Sequence, residues 1–316
     1  MTTAFVFPGQ GSQAVGMGKE LAAIFASARD VYQEVDDALG FKLSDIIKNG
    51  PEAELTKTEN AQPAIMAASL AAFRVMEKEM GVTLPGSAVC VAGHSLGEYS
   101  ALTAAGAFSI ADCAKLLKIR GASMQAAVPQ GKGLMAAIIG PELAAVQEIV
   151  REAKSRAMGE IVEIANHNAP NQIVISGTTG GIELAMQIAK DKGAKRALAL
   201  QVSAPFHCSL MSPAALAMKD ALAAANVNTP RVPVVANVTA EYVSDPEAIR
   251  ALLVEQVTGM VRWVDSVLAM QSNGITRVVE IGHGNVLAGL IKRIAPEIAT
   301  VNIASPADLD GFAKAA

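Results

Sequence analysis

The segment Ala88–Tyr99 constrains this chain more than any other stretch. A short apolar run, Ala88–Ala92, leads straight into Gly93-His94-Ser95-Leu96-Gly97, and a helical pattern follows. G-x-S-x-G between a strand and a helix is the pattern of a nucleophile elbow, a tight turn that holds the serine hydroxyl out toward a substrate. Glycines on either side let two stretches of backbone approach where a side chain would clash. The helix beginning near Gly97 aims free backbone N–H groups at the same point. Ser95 can then be a nucleophile beside part of an oxyanion site. The same residues also allow a plain βα turn whose serine caps the next helix. The strand before Ser95 and the helix pattern after it favour the elbow.

Strand-like runs recur along the chain at Ala4–Phe7, Ala88–Ala92, Val232–Ala236, Arg277–Ile281 and Thr300–Ile303. Helical patterns lie between them, among them Ala61–Lys78, Ile110–Ala127, Pro213–Ala225 and Trp263–Ser272. This alternation predicts a parallel sheet with helices on both faces. The middle of the chain breaks the pattern. After the turn-rich Ala126–Gly133 come a strand (Leu134–Ile139), a helix (Glu142–Arg156), two strands (Ile161–Asn166, Gln172–Ser176), a helix (Ile182–Lys192) and a strand (Arg196–Val202). That β-α-β-β-α-β order is the ferredoxin-like split βαβ unit, with Asn168–Asn171 as the turn between its middle strands. The expected fold is α/β: a large subdomain from 1–129 and 201–316, with a ferredoxin-like subdomain, 130–200, inserted in it. A cleft between the two is a natural ligand site.

With 316 residues and 51% apolar content, the chain can build a sizeable core. Its net charge of −4 disfavours a general nucleic-acid binder. Cys90, Cys113 and Cys208 have no C-x-x-C spacing, which argues against a disulfide framework or a structural zinc and fits a reducing cytosol. No metal constellation is expected. MTTAFVFPGQ lacks the basic and apolar regions of a signal peptide. The longest nearly apolar run, Ala64–Phe73, is about half of the ~20 residues that cross a bilayer. A cytoplasmic protein without membrane segments is expected.

Serine needs a base within hydrogen-bond reach. Of the four histidines, His94 adjoins Ser95 and its side chain should diverge from it at a sharp turn. His167 belongs to the insertion. His207 stands where the chain returns from the insertion, and His283 follows the strand Arg277–Ile281, so these two compete evenly. No Asp or Glu is clearly placed to orient either. Gly9-x-Gly11-x-x-Ala14 formally fits a dinucleotide fingerprint, whose second half is an acidic residue ending the next strand. The alternative is that this loop lies beside the elbow and lends N–H groups or the Gln10 amide to an oxyanion. Arg120, just before Gly121, reads either as a cation complementing a helix C-terminus or as a partly buried fork for a substrate carboxylate.

Together these pieces resemble the malonyl-CoA:acyl carrier protein transacylases of fatty-acid synthesis. The likeness spans essentially the whole chain, through Phe7–Gln13, Gly93–Glu98, Arg120-Gly121, Asn166–Gly177, Ser203–His207, Gln256 and Val286–Ile294. It implies an α/β-hydrolase-like fold with a ferredoxin-like insertion. It implies Ser95 as the acylated nucleophile, His207 as general base, and the Gln256 carbonyl as the group holding the imidazole. Gln10 and Leu96 would supply the oxyanion N–H groups, and Arg120 would pair the free carboxylate of the malonyl group. Phe206 and Leu96 look like the malonyl-selective version. The resemblance also implies malonyl-CoA as substrate, an acyl carrier protein bearing phosphopantetheine as partner, no bound cofactor and a monomer. For an acidic carrier, Lys292-Arg293 and the stretch Lys190, Lys192, Lys195, Arg196 are candidate basic patches. Pro205 departs from the family's usual segment, and Gly282-His283-Gly284 stands where relatives commonly have Gly-Pro-Gly, so His283 stays a minor rival base. A serine hydrolase using the same Ser-His site is the alternative activity.

Overall fold

The structure is a computed structural model and describes residues 1–315. Two sheets organise it. The larger contains β1 (Thr3–Phe7), β2 (Cys90–Gly93), β7 (Val234–Val235), β8 (Tyr242–Val243), β9 (Arg277–Ile281) and β10 (Ala299–Ile303). Its order is β10-β9-β1-β2-β7-β8, parallel throughout except for the β7–β8 pair. All five residues of β1 are buried, as both faces of a parallel sheet should be. Successive side chains point to opposite faces. Phe5 and Phe7 therefore enter one core, edge-on to Phe73 at 6.2 and 6.3 Å. Ala4 and Val6 enter the other, with Trp263, Val267 and Leu287.

Strand order reverses at β1, with β2 on one side and β9 on the other. A crevice opens beyond the carboxyl ends of strands at such a point. The register Phe7↔Gly93 brings the loop after β1 and the turn after β2 abreast there.

The smaller sheet contains β3 (Gly133–Ile139), β4 (Val162–Ala169), β5 (Gln172–Thr178) and β6 (Arg196–Ala199), in the order β4-β5-β3-β6 with every pair antiparallel. Helices Leu143–Arg156 and Thr179–Asp191 cover one face through Val146, Ile149, Ile182 and Ile188. From the other face Met135, Ala137 and Val174 join the main core. An isolated bridge joins Asn166 of β4 to Val261, just before helix Trp263–Ser272, and His167 N–H donates to the Val261 carbonyl at 3.0 Å.

Three sequence expectations shift. The helix Ile110–Ala126 runs through Arg120 and Gly121 instead of closing there, so Arg120 is not a C-terminal dipole partner. Gly121 is a contact residue: a Cβ there would lie 2.6 Å from the Thr58 carbonyl oxygen. The chain after Gly9–Ala14 enters helices Lys19–Ile24 and Ala26–Leu39, and β2 is the next strand. The acidic strand end of a dinucleotide site is therefore missing. Finally, β6 stops at Ala199, before Val202.

Candidate functional site

The elbow is built as its glycines require. A Cβ on Gly93 would overlap the Gly97 carbonyl, and one on Gly97 would overlap the Phe7 carbonyl oxygen. A Cβ on Gly9 would sit 2.6 Å from the His94 carbonyl oxygen. The first loop and the elbow thus lie backbone against backbone. Ser95 stands at φ 53°, ψ −113°, a conformation that L-residues rarely adopt. Asn237 secures it: its Oδ1 accepts from the Ser95 N–H at 2.7 Å and its Nδ2 donates to the Gly93 carbonyl at 2.7 Å. Helix Leu96–Ala104 starts behind Ser95. Among the described residues, nothing accepts from the Leu96 or Gln10 backbone N–H. Two donors therefore stand free beside the serine.

Ser95 Oγ meets His207 Nε2 at 2.8 Å. On the other side of the ring, Nδ1 faces the carbonyls of Gln256 at 2.9 Å and Gly259 at 3.2 Å. Carbonyls only accept, so Nδ1 carries the proton and Nε2 is left to receive one. His207 is 4% exposed. Burial, and then the Arg120 guanidinium, push its pKa down to about 3, although the two carbonyls favour the charged form. The ring is a neutral acceptor at physiological pH. No carboxylate orients it; two backbone oxygens do. His283 makes no bond to Ser95 and does not line the cavity around it.

Arg120 is 1% exposed. Its Nη1 donates to Gln62 Oε1 at 2.9 Å, and its Nη2 to Gln256 Oε1 at 2.8 Å and Ser95 Oγ at 3.1 Å. It lies over the Tyr99 ring at 5.6 Å, and its Nε is buried without an acceptor among the described residues. Burial lowers its pKa, yet a guanidinium starts so high that it stays charged. A buried cation touching the nucleophile, with no carboxylate bonded to it among the described residues, is suited to receive an anionic acyl group.

Ser95, His207 and Arg120 line a cavity of about 260 Å³ with Gln10, Met135 and Phe206. Its wall combines the loops after β1 and β2, through Gln10 and Ser95, with Met135 and Val174 of the smaller sheet. His94 diverges from Ser95 as expected: its Nε2 bonds Asn168 Oδ1 at 2.8 Å, where a register shift in β4 turns Asn168 inward. Four residues to which the sequence assigns no site role complete it: Gln62, Asn237, Asn168 and the buried Glu98. Asn237 carried a signal, since it follows a strand of the parallel sheet. Gln62 sat unmarked in an apolar helix. Lys292 and Arg293 are exposed on helix Val286–Ile294, and Arg293 bonds Asn171 and Gln172 at the β4–β5 turn. No helix is long and apolar enough to cross a membrane among the described residues.

Known proteins resemble the chain over nearly its whole length. The acyl transferase domain family matches residues 4–307. A malonyl CoA-acyl carrier protein transacylase of Bacillus subtilis is 44% identical over 97% of the chain and 95% of its own length. The crystal structure of an acyl-carrier-protein-S-malonyltransferase from Bartonella henselae is 51% identical, covers 100% of this chain and 99% of its own, and superposes with a TM-score of 0.96. A malonyl-transacylase solved in complex with a type II PKS acyl-carrier protein is 40% identical over 100% of both chains, at a TM-score of 0.95.

Proposed function

The chain belongs to the acyl transferase family, and on that premise we propose how its residues divide the transfer of a malonyl group from malonyl-CoA to an acyl carrier protein. One observation carries the assignment of roles: a buried guanidinium and an imidazole both hold the hydroxyl of Ser95. A hydrolase needs only the imidazole. The guanidinium fits an acyl group that ends in a carboxylate, and relatives named transacylases favour transfer over hydrolysis.

His207 Nε2 takes the Ser95 proton as Oγ attacks the thioester carbonyl carbon. The negative oxygen is held by the Gln10 and Leu96 backbone N–H groups; losing one such donor costs on the order of 10²–10³ in rate. The intermediate collapses, the C–S bond breaks, and His207 returns the proton to the leaving CoA sulfur. The phosphopantetheine thiol of the carrier then gives its proton to His207 and attacks the malonyl-Ser95 ester, and Ser95 leaves with that proton. Throughout, Arg120 holds the malonyl carboxylate. The Gln256 carbonyl keeps Nε2 aimed at Ser95.

Residues 130–200 act here as a small subdomain closing over the site, and the protein works as a monomer in the cytoplasm. Its CoA thioester is a substrate and the phosphopantetheine belongs to the partner. Incubation with malonyl-CoA, followed by peptide mass mapping, tests the reading. Wild type should carry one malonyl group on the peptide containing Ser95, Ser95→Ala none, and His207→Ala only a trace. Free malonate released without carrier, at a rate matching transfer, would instead establish the hydrolase.

A further inference from the structure

Glu98 takes no part in the steps above, yet it is 2% exposed and lies in the first turn of the helix behind the nucleophile. Its Oε2 accepts from Gln256 Nε2 at 2.7 Å and from the Asn237 backbone N–H at 3.1 Å. Gln256 faces two ways. Its Nε2 also donates to the Ser95 carbonyl at 2.9 Å, while its Oε1 accepts from Arg120 Nη2 at 2.8 Å.

An amide has a donor end and an acceptor end, and arginine only donates. If the Gln256 amide turned over, its NH₂ would confront the Arg120 guanidinium and its oxygen would confront Glu98. Two donors would then clash at one end and two acceptors at the other. Glu98 therefore sets which end of Gln256 faces Arg120. Among the described residues, Arg120 in turn has Gln62 as its only other side-chain acceptor besides the nucleophile itself.

We propose that Glu98 is a positioning residue for acyl selection: acting through the Gln256 amide, it holds the Arg120 guanidinium in the orientation that receives the acyl carboxylate. This rests on Arg120 being the carboxylate receptor, as argued above. The role needs an acceptor oxygen at the Oε2 position and not a charge. Burial pushes Glu98 up to about 7, against the pull of Gln256, Asn237 and Arg120, so the group works near its own titration point. An oxygen accepts there in either state.

The test compares kcat/KM for malonyl-CoA and acetyl-CoA in wild type, Glu98→Gln and Glu98→Met. Glutamine keeps an acceptor at the Oε2 position and methionine does not. Glu98→Met should lower the malonyl-to-acetyl ratio by about tenfold or more, the scale of a buried polar group left unpaired. Glu98→Gln should stay within about threefold of wild type, since the acceptor survives. Equal loss on both substrates would reduce Glu98 to a structural residue. Loss of the ratio in Glu98→Gln as deep as in Glu98→Met would assign the effect to charge. Unchanged ratios in both would also overturn the proposal. If Glu98→Met does not fold, Gln256→Met takes its place; it must show the same selective loss, and a retained ratio refutes the amide route. Wild type lacking any preference for malonyl would sink the carboxylate-receptor reading instead, a result seen before any variant is compared.

Discussion

Ser95 and His207 meet at 2.8 Å across 112 residues of chain, and both stand on left-handed backbone, at φ 53° and 57°. Two non-glycine residues in that region, facing each other, store strain on the order of 1–3 kcal/mol each. Asn237 and Gln256 hold Ser95 there against it. Ser95→Gly and Ser95→Ala both lose the hydroxyl, so their difference isolates the backbone. Glycine usually destabilises relative to alanine; at Ser95 the order should reverse, by about 1 kcal/mol in favour of glycine. Thermal melts of the two variants check this. An alanine variant as stable as the glycine one would mean that the turn is unstrained.

Arg120 should decide which acyl group is accepted. With acetyl in the site the guanidinium has no carboxylate bonded to it, and sites built to bond a polar group can reject analogues that lack it by up to about 10⁴. Arg120→Ala should lose most of the malonyl rate while its acetyl rate changes far less. It should also melt lower, because Gln62 Oε1 and Gln256 Oε1 lose their donor; each buried acceptor so stranded costs about 1–3 kcal/mol. Steady-state kinetics with both thioesters measure the first effect. A variant that still prefers malonyl strongly removes Arg120 from the role.

The depressed pKa of His207 has consequences for stability. The folded value is about 3, against an ordinary histidine value of 6.5. The unfolded chain therefore binds more protons between those values, and stability falls as pH drops from 6.5 toward 3. The slope from this group alone is about 1.4 kcal/mol per pH unit at most. Buried Glu98, with its raised pKa, acts the other way: its contribution is full below 4.5 and fades as pH rises to about 7. From pH 7.5 down to 4.5 the two contributions nearly cancel in wild type, so calorimetry should show His207→Gln gaining stability relative to wild type as the pH falls. Parallel profiles in the two proteins would contradict the buried neutral imidazole. The same shift places the acid limb of the acylation rate well below 6.5.

Local pattern carried the fold. Alternating strands and helices marked both sheets, and Arg277–Ile281 and Trp263–Ser272 begin and end where their apolar spacing does. The elbow was legible for the same reason, because its glycines and serine are neighbours in sequence. The base was not. His207 and His283 both follow plausible loops, and only the packing that brings 207 beside 95 separates them. The resemblance to a known family, not residue spacing, singled out His207. Arg120 was ambiguous locally: a cation before a glycine also fits a helix end, but Gly121 lies inside the helix in close contact with Thr58. Asn237 and Gln62 act only through distant partners, at separations of 142 and 58 residues, which no window along the chain reports.

The carrier should approach over helix Val286–Ile294. Arg293 bonds Asn171 and Gln172 at the β4–β5 turn, and Asn168 on the same hairpin holds His94 beside Ser95. A cationic rim thus sits one hairpin from the nucleophile. The rival stretch is partly spent, since Lys192 already pairs with Glu152 at 2.7 Å. Lys292 is exposed and is the cleaner residue to test, because reversing Arg293 would also disturb the hairpin. Rim charges act mainly on association and its salt dependence. Lys292→Glu should raise the KM for the carrier by roughly threefold to tenfold at low salt and much less above ~0.3 M, where screening is strong. Acylation of Ser95 by malonyl-CoA, followed without carrier, should stay within about twofold of wild type, as no acidic partner is involved. Equal effects on both half-reactions, or a carrier KM indifferent to salt, would move the docking face elsewhere.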